Sequence, residues 1–143
     1  MSIARIIAGR DFEIVTCTED TPVREAVTLL SERRIGAMPV VDGDGRVVGI
    51  FSERDVIRCL HVHGADALDL KMAAVMTTPA VTVSTDTSEN QALALMTRRR
   101  IRHLPVVDDG TMVDFVSIGD LVKARIDNIE SEAKALRDYI HSA

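Results

Sequence analysis

The sequence predicts a mixed α/β fold of the α+β type, in which two β-α-β-β-α units pack as a pseudo-two-fold pair and a long helix follows. Residues 14–42 align with residues 80–108 at an offset of 66, which becomes 65 after the second copy loses one turn residue. In both copies the apolar spacing alternates between strand and helix periods in the same order. Only two copies with so long a period indicate a duplicated small domain rather than a solenoid array.

Identical residues occupy matching positions of the two copies, so the repeat does not depend on periodicity alone. The identical pairs are Val15 and Val81, Thr16 and Thr82, Asp20 and Asp86, Thr21 and Thr87, Ala26 and Ala92, Leu29 and Leu95, Pro39 and Pro105, Ser52 and Ser117, and Asp55 and Asp120. One unit of about 50 residues is marginal alone because it buries too little apolar surface. Two copies packed through their sheets bury more, and we expect clefts between them.

Each copy is predicted to begin with a short strand, Glu13–Thr18 in the first and Ala80–Ser84 in the second. Thr21 and Thr87 are then expected to cap a helix, with Pro22 at the favoured first helical position.

Apolar residues at helical spacing predict the helix that follows in each copy. They are Val23, Ala26, Val27 and Leu30 in the first copy, and Ala92, Leu93 and Met96 in the second. This spacing places them on one face. Gly36 is expected to end the first of these helices.

Two β-branched runs follow in each copy, each pair joined by a turn rich in Asp and Gly, which predicts a hairpin. The strands are Ala37–Val41 with Val47–Phe51, and His103–Val107 with Met112–Val116. A helix follows each hairpin, over Val56–Leu60 and from Leu121 onward. The expected boundaries are 8–63 for the first repeat, 64–76 for a linker, 77–126 for the second repeat and 127–143 for a helical extension.

The last predicted helix, Leu121–Ala143, has apolar residues at alternating spacings of three and four. They are Ile126, Ile129, Ala133, Leu136 and Ile140. This is an a/d seam of barely two heptads. Two interpretations stay open: a tail helix that packs on its own domain, and a seam for self-association.

Composition excludes several classes of function. Aromatic residues make up 3% of the chain and Trp is absent, so a stacking platform for single-stranded nucleic acid is not expected. A net charge of −5 and a pI near 5.3 argue against a duplex-binding face. No apolar run is long enough to span a membrane. Residues 1–10 show neither an adequate apolar region nor a cleavage pattern, so a secretion signal is not expected. Cys17 and Cys59 lack metal-binding spacing, which favours reduced thiols in a cytoplasmic protein.

Catalysis and metal binding are not predicted. No Ser or Cys has a His and an acid at a recognisable nucleophile spacing, and no Walker-type glycine loop occurs. Asp42 and Asp108 occupy symmetry-related turns, so they are not expected to act as an acid–base pair. His61 and His63 are two apart on a helix and point to different faces, which argues against a shared metal ion.

The main candidate site is a repeated Ser-x-x-Asp at a strand-to-helix junction, Ser52 with Asp55 and Ser117 with Asp120. The ordinary role of this spacing is a helix cap, in which hydroxyl and carboxylate each accept a backbone N–H. The functional role is ligand binding, because a helix N-terminus suits a phosphate and a carboxylate can accept both hydroxyls of a ribose. Its recurrence at the same place in both repeats favours the second role.

The repeated pattern resembles the CBS domain family, in the tandem form called a Bateman module and typical of stand-alone bacterial proteins. The residues that carry the resemblance are Pro39–Asp42, Gly45–Asp55, Pro105–Asp108 and Phe115–Asp120. The resemblance covers about residues 8–126. It implies a non-catalytic sensor that binds adenosine nucleotides in clefts between the repeats. The implied ligands are AMP, ADP or ATP, and also NAD(H) or S-adenosylmethionine, with a homodimer and an unknown effector protein as partners.

The resemblance also implies site residues. The ribose-binding acids are Asp55 and Asp120, with Ser52 and Ser117 three residues earlier and Arg54 and Gly119 just before each acid. Adenine contacts fall on Val15, Ile35 and Gly36 in one cleft, and on Val81, Ile101 and Arg102 in the other. The entering segments, around Arg10 and around Met76 and Thr77, are implied to lie nearby. Phosphate contacts fall on Arg102 and His103, although Arg102 could instead belong to a solvated basic helix end.

The sequence departs from the family pattern in the second repeat. Asp114 stands where the first repeat has Gly49, either as a bulge or edge residue or as a carboxylate that would oppose phosphate. Gly119 offers no side-chain donor, and Gly36 with Ala37 offers no charge. In the alternative hypothesis, the clefts are vestigial and the protein is an interaction scaffold that acts through its dimer face and C-terminal helix. The departures favour this alternative for at least one cleft.

Overall fold

Each repeat forms a two-stranded antiparallel hairpin flanked by helices in the computed structural model, which describes residues 1–142. The elements are α1 Ile3–Ile7, α2 Val23–Arg33, β1 Ala37–Val41, β2 Val47–Ser52, α3 Glu53–His63, a 3₁₀ turn Gly64–Asp69, α4 Met72–Val75, α5 Glu89–Arg99, β3 His103–Asp108, β4 Thr111–Ser117 and α6 Ile118–Ser142. The mixed α/β fold and the long final helix are as predicted. The last residue of the predicted helix, Ala143, lies outside the described residues.

The predicted first strands, Glu13–Thr18 and Ala80–Ser84, are wrong as regular strands. Each contributes only one parallel bridge beside its hairpin, from Cys17 to Val40 and from Val83 to Val106. The chain turns away directly afterwards, because the hydroxyls of Thr21 and Thr87 accept the amides of Thr18 and Ser84. The strand pattern was therefore correct for one residue in each copy.

Those same hydroxyl contacts explain why Thr21 and Thr87 are not the helix caps. The N-cap of α2 is Pro22, which therefore precedes the first helical position, and the N-cap of α5 is Ser88. Ser88 forms a reciprocal capping box with Gln91.

Both α2 and α5 end in the same way, but not at Gly36 as the sequence suggested. Arg34 and Arg100 adopt left-handed backbone conformations, with φ of 53° and 54°. The amides of Ile35 and Ile101 then donate to the carbonyls of Leu30 and Met96, as in a Schellman motif. This ending directs Ile35 and Ile101 towards the seam between the repeats.

The short helix that precedes each repeat packs in the hydrophobic core of the other repeat. Met72 of α4, which precedes the second repeat, is buried in the first core with Phe51. Ile3 of α1, which precedes the first repeat, is buried in the second core with Leu104. Equivalent hydrogen bonds anchor them: the amide of Met72 donates to Thr21, and the amide of Ile3 donates to Thr87. The pseudo-two-fold relation therefore extends beyond the two hairpins.

The predicted linker, residues 64–76, packs on the first repeat. Ala67, Met72 and Val75 are buried in its core. The same core contains Cys17 and Cys59, whose thiol pKa values burial raises, to about 11 for Cys17. Protonated, buried thiols are weak nucleophiles, which fits a structural role.

Gly49 on β2 lies where the entering segment comes closest to the first hairpin. The amide of Ile50 donates to Thr77 and the amide of Thr77 donates back to Ile50. A Cβ at Gly49 would lie 2.9 Å from the carbonyl oxygen of Thr77 and 2.7 Å from the sulfur of Met76. Because two hydrogen bonds hold the backbone of Thr77, it cannot easily move to accommodate a side chain at position 49.

Gly49→Ala is therefore expected to lower the free energy of unfolding by about 1–3 kcal/mol, as overpacking does. Urea denaturation measures this. Gly43→Ala is the matched control, because a Cβ there meets no atom within 4 Å. Equal stability of the two variants would contradict the close approach.

Candidate functional site: two clefts between the repeats

Two cavities open between the repeats. Cleft 1 has a volume of about 340 Å³ and is lined by Arg10, Phe12, Glu13, Ile14, Val15, Arg34, Ile35, Gly36, Ala37, His103, Phe115, Ser117 and Asp120. Cleft 2 has a volume of about 260 Å³ and is lined by Gly36, Ala37, Ile50, Ser52, Glu53, Arg54, Asp55, Arg58, Thr77, Ala80, Val81, Arg99, Arg100, Ile101, Arg102 and His103. Because Gly36, Ala37 and His103 line both, the two clefts adjoin. The seam is therefore open, not filled by side chains.

The Ser-x-x-Asp residues form a capping box at each junction. The amide of Ser52 donates to Asp55 at 2.9 Å, and the amide of Ser117 donates to Asp120 at 2.8 Å. Each Ser hydroxyl accepts the amide of its Asp in return. Capping is thus part of the role of both motifs, and the acids differ in what remains free for a ligand.

The Asp55 carboxylate is almost fully occupied by its own protein. The residue is 2% exposed, and besides Ser52 it accepts hydrogen bonds from Thr77 at 2.7 Å and from Arg58. Arg58 lies three residues along α3, so helical spacing brings it over the acid. The Arg58 side chain is 55% exposed, and it also donates to the hydroxyl of Thr77 at 3.3 Å. Cleft 2 therefore has a covered acid.

The Asp120 carboxylate is open to cleft 1. Its side chain is 37% exposed, and besides Ser117 it meets only a long contact of 3.5 Å from Arg10 among residues 1–142. Several acceptor positions of this ionised group therefore remain unused. Val15 and Ile35 of the first repeat form the opposite, apolar wall of this cleft.

Arg10 connects the entering segment to the second repeat. Its guanidinium lies 3.6 Å from Asp114 and 3.5 Å from Asp120, and it stacks over Phe12 at 4.3 Å. Asp114 is buried and lines neither cleft, so it neutralises Arg10 and does not face a bound phosphate directly. In the first repeat, Gly49 allows the entering segment to pair with β2 through backbone hydrogen bonds. At the matching position of the second repeat, the Asp114 side chain contacts Arg10 of the entering segment instead.

The helix N-termini are less open than the sequence suggested. The first amides of α3 and α6 are already used, since Glu53 donates to the carbonyl of Gly36 and Ile118 donates to that of Arg102. Both contacts hold a helix start against the beginning of its own hairpin. Side chains must therefore contribute most of any phosphate binding.

Cleft 2 has a strongly basic wall that fits this requirement. Its guanidinium groups are those of Arg54, Arg58, Arg99, Arg100 and Arg102, against the carboxylates of Glu53 and Asp55. Arg54 is positioned by donating to the carbonyl of Arg100 across the cleft at 2.8 Å. Cleft 1 has balanced charges, with Arg10 and Arg34 against Glu13 and Asp120. Clustered arginines favour phosphate oxygens.

Fourteen of the sixteen residues implied by the resemblance line a cleft, and the exceptions are Met76 and Gly119. Met76 packs against the first core. Sequence reasoning missed several lining residues, among them Phe12, Arg34, Arg58, Arg99, Arg100 and Phe115. Only Arg58 had a readable signal, its position one helical turn after Asp55.

His103 lies where the clefts meet. Its ring stacks on Phe115 with centroids 5.5 Å apart. Burial, and secondarily the positive charge of Arg102, lower the pKa of His103 from its ordinary value of 6.5. The ring is therefore neutral at pH 7 in the folded protein.

Acidification is expected to destabilise the protein through His103. Below pH 6.5 the unfolded chain binds a proton that the folded ring does not, so stability falls as pH decreases towards the lower, folded-state pKa. Urea midpoints between pH 7.5 and 5.5 measure this. His103→Gln is expected to lose less stability over that range, and an unchanged pH dependence would contradict the assignment.

No group of three His, Cys, Asp or Glu side chains among residues 1–142 is placed to bind a metal ion. None of the helices described has both the length and the apolarity needed to cross a bilayer.

Comparison with known proteins gives a consistent picture. The CBS domain family model matches residues 10–62 and 72–127. The chain is 38% identical to the Arabidopsis thaliana CBS domain-containing protein CBSX3, mitochondrial, over 87% of this chain and 62% of that protein. It thus spans less than two thirds of that relative.

Two crystal structures are similar over most of the chain. The CBS-domain containing protein ATU1752 from Agrobacterium tumefaciens superposes with a TM-score of 0.82 at 34% identity, covering 87% of this chain and 99% of that one. The structure of CBSX2 in complex with AMP superposes with a TM-score of 0.76 at 25% identity, covering 88% and 96%. With its two matched repeats and the fold they form, the chain belongs to the CBS domain family as a tandem pair.

Proposed function

We propose that the protein is a non-catalytic, cytoplasmic sensor that binds an adenosine nucleotide between its two repeats and relays occupancy to an effector protein. The candidate ligands are AMP, ATP and NAD(H). The observation that carries this proposal is the Asp120 carboxylate, which is held by a helix cap yet remains 37% exposed in a cleft of about 340 Å³.

The geometry of cleft 1 fits a nucleoside. Asp120 offers acceptors for ribose hydroxyls, and Val15 with Ile35 offers an apolar surface for a base. The related protein CBSX2 was crystallised in complex with AMP, and its fold covers 88% of this chain. That likeness supports AMP as the first ligand to test.

The basic wall of cleft 2 supports a phosphorylated ligand over a plain nucleoside. Since Gly36 and His103 line both clefts, one ligand could place its ribose at Asp120 and extend charged groups towards Arg102. The same continuity makes NAD(H), with two nucleotide halves, the second candidate.

Binding would act on the arrangement of the repeats. Arg10 belongs to the segment before the first repeat but contacts Asp120 of the second. A ribose at Asp120 competes with Arg10 for that carboxylate, so a ligand shifts the population by its different affinity for the two arrangements. The effector would read this shift, and a homodimer would carry it to a second copy.

Titration calorimetry with AMP, ATP, NADH and S-adenosylmethionine tests the proposal, with adenosine as the control without phosphate. We expect at least one nucleotide to bind with a dissociation constant below about 100 μM, which corresponds to about −5.5 kcal/mol. Adenosine should bind more weakly. Absence of binding by all of them, under conditions that would detect that affinity, would exclude the sensor function.

An interaction scaffold is the second candidate, because large apolar side chains are exposed on α3 and α6. Ile57 is 70% exposed and Val122 is 44% exposed. This function predicts that nucleotides leave the melting temperature unchanged, while removal of α6 from Glu130 onward abolishes association. A melting temperature that rises with nucleotide concentration would favour the sensor instead.

A further inference from the structure

The second half of α6 leaves the domain without a partner. Leu121 is its buried residue, and Arg125 makes the last lateral contact, donating to Glu89 at 3.0 Å. From Ile126 to Ser142 every residue is exposed. In proteins most of the stability of a helix comes from packing its apolar face against another surface. A surface that covers this part of α6 would therefore stabilise it.

The exposed part of α6 carries a continuous apolar seam. Val122, Ile126, Ile129, Ala133, Leu136 and Ile140 fall at alternating d and a positions of a heptad repeat. Ile129 and Leu136 are 56% and 60% exposed, so the seam is uncovered within the described chain. We propose that it forms a parallel, two-stranded coiled coil with α6 of a second copy of this chain.

Charge complementarity selects both the occupant and its orientation. Two positions flank the seam: e directly follows each d residue, and g directly precedes each a residue. In a parallel coil, each g residue meets the e residue five positions later on the other helix. Glu132 then faces Arg137 of the second copy, a pair of opposite sign that the two-fold symmetry repeats. Arg125 already donates to Glu89 and Asn90 of its own chain. Glu132 and Arg137 therefore make the helix complementary to itself in register.

The antiparallel alternative with full overlap of the seam is disfavoured by the same residues. There e residues face e residues, and g residues face g residues. Glu130 would face Glu130, Glu132 would face Glu132, and Lys123 would face Arg137. Like charges repel in each of these contacts. The parallel arrangement is thus the one that uses all six seam layers without repulsion.

Disulfide crosslinking of Leu136→Cys tests the orientation. In the parallel coil the two 136 positions share one d layer, within reach of a disulfide. In the antiparallel form, position 136 faces position 126, about 15 Å along the helix from its own counterpart. Asp138→Cys, on the outer face, is the control, and native Cys17 and Cys59 are buried. We expect an intersubunit disulfide at 136 and little at 138.

Charge reversal then tests the pairing in the Leu136→Cys background. Arg137→Glu and Glu132→Arg should each slow crosslinking about tenfold, because two attractive pairs per dimer become repulsive. An equimolar mixture of the two should restore the rate as heterodimers, because both pairs regain opposite signs. Lys134→Glu makes the same charge change on the outer face and should have no effect.

Other outcomes would overturn the proposal. These are equal crosslinking at 136 and 138, no crosslinking at 136, or crosslinking of Arg137→Glu that is as fast as that of its parent. A trimeric mass by light scattering would overturn the two-stranded form. None of these readouts involves a nucleotide, so they are independent of the sensor function.

Discussion

Asp120→Ala is expected to weaken binding of an adenosine nucleotide roughly 100-fold while lowering stability by only about 1 kcal/mol. The binding loss follows from two charge-assisted hydrogen bonds to the ribose hydroxyls, each worth about 1.5 kcal/mol. The stability loss is small because the half-exposed carboxylate caps α6 and meets Arg10 only at 3.5 Å. The open acid should therefore matter chiefly for the ligand.

Asp55→Ala is expected to lower stability more than it weakens nucleotide binding. This carboxylate is 2% exposed and accepts hydrogen bonds from Ser52, Thr77 and Arg58. Its removal leaves a buried amide and a hydroxyl without acceptors, so we expect a loss of about 2–3 kcal/mol. Nucleotide affinity should change less than in Asp120→Ala if cleft 1 receives the ribose.

Calorimetric titration and urea denaturation of both variants separate these roles. If Asp120→Ala binds nucleotide as tightly as the native protein, the ribose role of that acid is excluded. If both variants lose affinity equally, the ribose is not restricted to cleft 1. If Asp55→Ala loses no stability, the cap and its contacts do not contribute as the structure indicates.

Ile3→Ala is expected to lower the free energy of unfolding by about 3 kcal/mol, one of the largest effects in the chain. Ile3 is fully buried in the core of the second repeat, although it precedes the first repeat in sequence. Alanine there removes three carbon atoms and leaves a cavity where α1 docks. Arg10 follows α1 directly, so loosening this helix should also weaken its contact with Asp120.

Urea denaturation checks this expectation, with Ile57→Ala as the matched control. Ile57 is 70% exposed, so the same substitution there should change the stability of the monomer by less than about 0.5 kcal/mol. Equal effects of the two substitutions would mean that α1 does not dock in the second core.

Sequence reasoning succeeded where a local pattern and its repetition agreed. The hairpins Ala37–Ser52 and His103–Ser117 follow from β-branched runs around turns with Gly45 and Gly110, whose positive φ values suit glycine. Ser52 and Ser117 cap helices in the structure as the Ser-x-x-Asp spacing predicted. These features depend on residues within a few positions of each other, so a single stretch of chain contains the information.

Sequence reasoning failed where several local outcomes were compatible with the pattern. Thr21 and Thr87 were plausible caps, but their hydroxyls close turns with Thr18 and Ser84. The sequence contained no strong signal for helix α1. Five residues form a stable helix only when they pack in a hydrophobic core. The site assignments implied by the resemblance were placed around the clefts, except Met76 and Gly119, but their binding roles stay predictions.

The sequence by itself determined the duplication, the order of the central helix, the hairpin and the capped helix in each repeat, and the capped acids, because short-range hydrogen bonding and apolar periodicity specify them. Only the tertiary structure decided that Asp55 is covered and Asp120 is open. Identical motifs differ there because Thr77 and Arg58 close over one carboxylate, while distant Arg10 makes only a long contact with the other. Contacts between residues far apart in sequence depend on how the two halves pack, and the repeat pattern does not encode that difference.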